Sequence, residues 1–557
     1  MKNNIPKALL SLLLILVLTS CEHELVEENH SNLTPEFFNS PEGLEKGLNA
    51  AYAGLRTFYG PEEGIEAFTI PGTDEFQISN GSRPREVAFY SSNYTSENEF
   101  SRVLWNNAYT FINTCNGLID FGSEVTDIDH GVKQQLLAEA KFLRAFYYFK
   151  LVQFFGDVTL NTHYNNSPTT SATREDKSVV YELIIDDLQQ AIPELTLSPQ
   201  LGSTQAGRAT AAAAKHLLAM VYLTRGYSDV AKNTDFDQAL ELSSELINQA
   251  GSMGIGLLDD FGKVFEAQNE NNQEVLLNVQ YSTDKTYGGS HPLNHLFVTN
   301  YQMQLGERTI ADGRPFVWYR GTDWLYNTVF ADKVNDTRYY NSFQSVWYAP
   351  ADLEATYTLE NETETIEVTV NVKQGDTAMY LPGYELSKSE ILAKNYYTYT
   401  PRFYTNLIYP TMTKFLDPNR LTPNENSHRP IIIFRFAETY LIAAEAALNI
   451  GKLDEAATYI NTIRQRAAAQ GKEEQMKITA SDVTLDFILD ERARELAGEN
   501  MRWLDLVRTK TLLERVRLYG GTEAANNIQD FHILRPVPQE QINRVITGTP
   551  YPQNQGW

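Results

Sequence analysis

The residue types that carry out chemistry are present, but no familiar catalytic motif arranges them. The 557 residues contain no G-x-S-x-G elbow, no Walker loop and no H-E-x-x-H pattern. His291 and His295 have the i,i+4 spacing of a helical metal pair, but Pro292 lies between them in loop-like surroundings. Hydrogen-bonded loop histidines are therefore expected there, and no metal or cofactor. Glycoside hydrolysis needs a pair of carboxylates, and among 71 acidic residues no feature selects one pair. No catalytic residue is assigned. The charged run ERARELAGENMRW (491–503) reads as a packed helix. Glu491 and Arg494, like Arg492 and Glu495, are spaced i,i+3, while Leu489, Ala493, Leu496, Leu504 and Val507 follow the buried side. Ion pairs on its exposed flank would contribute a few tenths of a kcal/mol each. What the chain has in quantity is flat aromatic surface, with 31 Tyr and 27 Phe. Most such rings fill cores, but an exposed ring also suits the apolar face of a sugar.

Charge narrows the partners. A net charge of −25 argues against nucleic acid, which needs clustered Lys and Arg, and against electrostatic binding to anionic lipid. Lys2 and Lys7 precede an apolar run from Ala8 to Leu18, too short to span a bilayer core, so residues 1–20 are a signal peptide. Leu18-Thr19-Ser20-Cys21 resembles a bacterial lipobox, with cleavage before Cys21 and lipid added to its sulfur. Acyl chains there would anchor the protein to a membrane without spanning it. Cleavage removes Lys2 and Lys7 and takes the net charge from −25 to −27. If Cys21 is lipidated, Cys115 is left without a disulfide partner. Glu22, Glu24, Glu27 and Glu28 resemble the surface-export signal of Bacteroides-type lipoproteins.

The elements that must position any site are helices. EAKFLRAFYYFKLVQFFGD (139–157) is apolar on two faces, with Lys141, Arg144 and Tyr148 as a polar strip, so this helix (about 129–155) packs between others. Gly156 stops it. Further helices are expected from Pro41, over 97–120, around Val180 to Ile192, and over 208–225 and 236–250, the last capped by Asp235. Residues 434–449, 453–468 and 482–510 continue the theme. Small Ala residues at close-contact positions followed by short turns give these pairs a tetratricopeptide look. The fold class is mainly α: a tetratricopeptide-like helical-hairpin scaffold (about 41–250 and 430–515) with an irregular, loop-rich insertion (about 251–430). TIEVTVNV (364–371) alternates like a strand, and Gln374-Gly375-Asp376 turns it into a small β-hairpin with 377–381. Residues 21–40 form a lipidated tether, and 41–557 a single domain.

Several segments together resemble the SusD/RagB family of Bacteroidetes outer-membrane lipoproteins. They are the lipobox, EAKFLRAFYYFKLVQFFGD, VVYELIIDDLQQAI from 179, GRATAAAAKHLLAMVYL from 207, FRFAETYLIAAEAALNIG from 434, YINTIRQRA from 459, ERARELAGENMRWLDLVR from 491, and LRPVP with QNQGW near the end. The resemblance implies a non-enzymatic lipoprotein, lipid-anchored through Cys21 and exposed at the cell surface. It would bind a glycan and pass it to a SusC-like TonB-dependent transporter, acting as a lid on that barrel. No cofactor is implied. It also implies that ligand residues come from the loop before the first hairpin and from the insertion. In the first loop, Thr73-Asp74-Glu75 resembles the family's start, and Asp74, Phe76, Asn80, Arg83 and Arg85 are the candidates. The absence of Trp from that loop departs from the starch-type pattern. In the insertion the candidates are Trp318, Tyr319, Trp324, Trp347 and the neighbouring Tyr348. Asp336-Thr337-Arg338 matches a family pattern and reads as structural. The alternatives are a transporter lid with little ligand affinity of its own, a peptide ligand, and a surface glycosidase.

Overall fold

The computed structural model describes residues 35–81, 83–199, 205–284, 286 and 288–557. The expectations for the signal peptide, for Cys21 and for the tether as far as residue 34 lie outside the described residues. The folded part begins earlier than expected. Pro35–Phe38 is already a helical turn, and Phe38 is fully buried against Phe121 and Tyr164, so the tether does not extend to residue 40.

The scaffold is a row of helices. They are α1 (Pro41–Phe58), α2 (Glu99–Gly122), α3 (His130–Phe155), α4 (Lys177–Ala191), α5 (Ala211–Tyr227) and α6 (Asp235–Gln249). The chain then leaves for its insertion and returns as α7 (Phe436–Asn449) and α8 (Leu453–Arg466). Each helix packs on the one before it, and α7 packs directly on α6, so the insertion interrupts the sequence but not the row. This is the mainly α, tetratricopeptide-like arrangement, in which each hairpin buries its apolar face only against a neighbour. The strand Ile431–Arg435 leads into α7 and pairs with Val275–Val279, which ties both ends of the insertion to the scaffold.

The central helix α3 is buried on every side from Leu137 to Phe155 except at Lys141. Its expected polar strip is therefore mostly interior. Arg144 meets Asp187 through two hydrogen bonds of 2.8 and 2.7 Å, and Tyr148 donates to the Asn161 carbonyl at 2.8 Å. Buried polar groups persist only when paired in this way. Asp129 caps the helix by accepting from the Val132 N–H, and Gly156 ends it at φ +71°.

Three further expectations are corrected. Asp235 is not a cap; it is the first residue of α6, fully buried, and it binds the Arg225 guanidinium. The β-hairpin lies one strand earlier than expected. Thr365–Val372 pairs with Leu353–Glu360 across a turn at 361–364, whereas Thr377–Tyr380 pairs with Val346–Tyr348 and Tyr397–Thr398. The charged run on α9 (Leu485–Leu496) is not an exposed flank. Glu491, Arg492 and Glu495 are buried. Glu495 accepts from Arg338 at 3.1 Å, from Arg435 at 2.7 Å and also from Arg466. Glu491 accepts from Arg338 at 2.8 Å and from Arg464 at 2.9 Å. Arg338 also grips Asp336 at 2.7 Å. The Asp336-Thr337-Arg338 motif thus clamps the insertion onto α8 and α9.

Buried ionisable groups set a pH optimum for stability. Burial, the largest influence on each, pushes His291, His295 and His532 down to about 4 and Glu66 and Glu75 up to about 8. The histidines favour the native state above their ordinary 6.5 and lose that effect as the pH falls towards 4. The raised carboxyls favour it below their ordinary 4.5 and lose that effect as the pH rises to 8. Burial alone would raise Glu438 and Glu495, but their cationic partners outweigh it and hold both at about 2, so their contribution disappears in strong acid. Below pH 8, where the buried Lys150 and Lys333 do not yet add a pH dependence, thermal unfolding is expected to show maximum stability at about pH 6.5, with a steep loss below about pH 4.5.

Candidate functional site

The two loops expected to carry ligand residues are joined by a short ribbon. Phe76–Ile78 pairs antiparallel with Tyr319–Gly321, with Phe76 opposite Gly321, Gln77 opposite Arg320 and Ile78 opposite Tyr319. Strand side chains alternate between faces, so the pairing sorts them. Phe76, Ile78 and Tyr319 go into the core, while Gln77 and Arg320 face an open cleft of about 1100 Å³. The other walls come from Asn80, Arg85 and Phe89, from Asp323, Trp324, Asn327 and Thr328, from Asn406, and from Arg517 to Ala525.

Asp74 supports this cleft from behind. It is fully buried and accepts from Arg502 at 2.6 Å and from Arg515 at 3.1 Å. Both guanidiniums lie over the Trp324 ring, 5.5 and 5.4 Å from its centroid. Trp324 in turn stacks on Tyr519, with centroids 5.0 Å apart and planes within 20°. Tyr519 closes α11 (Leu512–Tyr519) and is half-buried, and it presents its ring to the cleft in front of Trp324. A second ring, Phe89, lies half-buried under the Arg85 guanidinium at 4.8 Å. The polar groups are arranged around these rings. Arg320 binds Asp323 at 2.7 Å and reaches the Asn406 side-chain oxygen at 3.4 Å, and Asn80 is exposed. Aromatic faces next to amides and guanidiniums can bind a ring that is apolar on one face and hydroxylated at its edge.

The cleft brings together Asn80, Arg85 and Trp324 from the expected set. Asp74, Phe76, Tyr319 and Trp347 are corrected to interior positions: the first is held by arginines and the others are packed among apolar side chains. Alternation in the strand Val346–Tyr348 buries Trp347 and leaves Tyr348 exposed, outside the cleft. Arg83 pairs with Glu63 at the surface, and Trp318 packs against Phe316; neither lines the cleft. Both expected loop histidines are buried and hydrogen-bonded, His291 to the Arg429 carbonyl and His295 to the Arg314 N–H, but His295 lies in the helical turn Leu293–Leu296 and not in a loop. Gln77, Phe89, Arg320, Asn406 and Tyr519 are among the wall residues that the sequence reading missed. The pair Gly520-Gly521 directly after Tyr519 was the available signal, because Gly521 has φ +83° and a Cβ there would collide with the Gln77 side chain. Gly521→Ala is expected to destabilise the protein by about 1 kcal/mol, seen as a lower urea midpoint, and to displace Gln77.

Residues 259–557 match the model of the SusD family, and residues 25–223 match a second model described as starch-binding and associating with the outer membrane. The chain belongs to the SusD family. SusD-like protein P25 of Formosa agariphila is 26% identical over 548 residues, 95% of each chain. The starch-binding protein SusD of Bacteroides thetaiotaomicron is 26% identical over 427 residues, 73% of this chain and 70% of that one. Among solved structures, a laminarin-binding SusD-like protein superposes with a TM-score of 0.66 at 23% identity, covering 92% of this chain and 99% of its own. That solved structure thus shares the overall fold of this chain. Among the described residues no helix is long and apolar enough to cross a membrane.

Proposed function

We propose that this SusD-family chain captures a glycan in the cleft between the Phe76–Ile78 ribbon and Tyr519, without cleaving it. The observation that carries the reading is the cleft wall itself: Tyr519 backed by Trp324, Phe89 beside it, and Gln77, Asn80, Arg320 and Asn406 around them. A pyranose would stack on the rings and direct its hydroxyls to the amides and guanidiniums. The starch- and laminarin-binding relatives support a carbohydrate over a peptide. The cleft offers no acid–base pair of the kind a glycosidase needs. Its carboxylates are Asp323, bound to Arg320, and Glu523, while Glu66, Glu75 and Asp187, whose pKa burial raises, do not line it. Lipid on Cys21 would hold the protein on the outer membrane facing outwards, and a SusC-like TonB-dependent transporter would receive the glycan.

Affinity electrophoresis tests this reading. The mature protein is run through gels cast with laminarin, starch, xylan, pectin or alginate, and each polysaccharide is assayed for new reducing ends. Retardation in at least one gel without released sugar is expected. Unchanged mobility in every gel, or release of sugar, overturns the reading.

A further inference from the structure

A second hollow, of about 500 Å³, opens beside the cleft and shares Asn327 with it. The shared wall is one π-turn, Leu325–Val329, which buries Leu325, Tyr326 and Val329 and turns Asn327 and Thr328 outwards. Turns of this kind often mark functional positions. Beyond it stand two tyrosines, Tyr340 and Tyr384, 43% and 49% exposed. Each has a partner for its hydroxyl. The Tyr340 hydroxyl donates to the Pro382 carbonyl at 3.1 Å, and its ring meets Tyr339 edge-on at 5.1 Å. The Tyr384 hydroxyl lies 3.4 Å from that of Tyr380. Lys333 closes the floor, giving two N–H groups to the carbonyls of Tyr326 and Phe330 at 2.7 and 2.6 Å, with its ammonium 4.4 Å from the centroid of the Tyr339 ring.

We infer that this tyrosine hollow is an outer subsite for the distal sugar units of a chain whose other units lie in the main cleft, so that the protein selects for glycan length. The inference rests on the glycan reading of the cleft. Continuity through Asn327 names the occupant. A chain leaving the Trp324 side of the cleft passes over Asn327 and Thr328 and meets Tyr340 and Tyr384 next. Half-exposed tyrosine rings suit stacked pyranoses.

The test uses the polysaccharide that retards the mature protein, cut into oligosaccharides of graded length, with titration calorimetry of wild type and of Tyr340→Ala/Tyr384→Ala. The expected result is affinity that rises with length in wild type. The double variant should bind the shortest oligosaccharides as wild type does and the long ones about tenfold more weakly, because two stacking contacts are lost. Unaltered short-chain binding also shows that the variant is folded. Tyr340→Phe/Tyr384→Phe keeps both rings and should retain the length dependence. Equal affinity of wild type and the alanine variant at every length, or an equal loss at every length, overturns the outer subsite while leaving the cleft reading intact. Absence of retardation by any polysaccharide overturns both.

Discussion

Glu495→Ala is expected to destabilise the protein by about 3–5 kcal/mol, read as a large fall in the urea midpoint and in Tm. Glu495 is fully buried and accepts from Arg338, Arg435 and Arg466. Removing it leaves three guanidiniums with less counter-charge in an interior that water cannot reach. The remaining partners are Asp336, Glu274, Glu491 and Glu499, each already engaged. Pairs buried in this way are little screened by salt, so the loss should persist at high ionic strength. Lys46→Ala, which removes an exposed pair with Glu42 on α1, should leave the midpoint where it was. A Glu495→Ala midpoint equal to that of wild type would mean that the insertion is held to the scaffold by something other than this network.

Phe89→Ala/Tyr519→Ala should weaken glycan binding at least about tenfold while the fold persists, because two stacking surfaces are lost. The double change is the informative one. Tyr519 covers Trp324, so removing Tyr519 alone would uncover a larger ring at the same place. Both side chains are only half-buried, and Asp74, Arg502 and Arg515 still hold Trp324 behind them. Titration calorimetry with the retained polysaccharide reads the change. Unaltered affinity would place the ligand elsewhere on the surface.

The scaffold was legible because helices carry their packing in their periodicity. A segment apolar on most sides, such as α3, must lie between neighbours, and it does. The insertion was far less legible. Its strands are short, their partners are distant in sequence, and a shift of one residue exchanges the two faces. That shift accounts for the main error at the site: Phe76 and Tyr319 looked like ligand residues, whereas their neighbours Gln77 and Arg320 face the cleft. The same limit explains the hairpin, since the alternation in 365–372 indicates a strand but not its partner. Asp74 and α9 show a different failure. Charge in a sequence reads as surface, and only the fold reveals that the arginines of α8, α10 (Arg502–Arg508) and α11 converge on buried carboxylates. Tyr519 was missed because the third wall of the cleft comes from beyond the insertion, where the pair Gly520-Gly521 marks a close approach but not which ring beside it is exposed.

The central claim is most directly tested by determining a crystal structure of the mature protein soaked with a short oligosaccharide of the glycan it retains. A sugar ring stacked against Tyr519, with hydroxyls within hydrogen-bond distance of Arg320, Asn406 or Asn80, is the predicted result. An empty cleft with sugar ordered elsewhere, such as the hollow between α2 and residues 159–173, would contradict it.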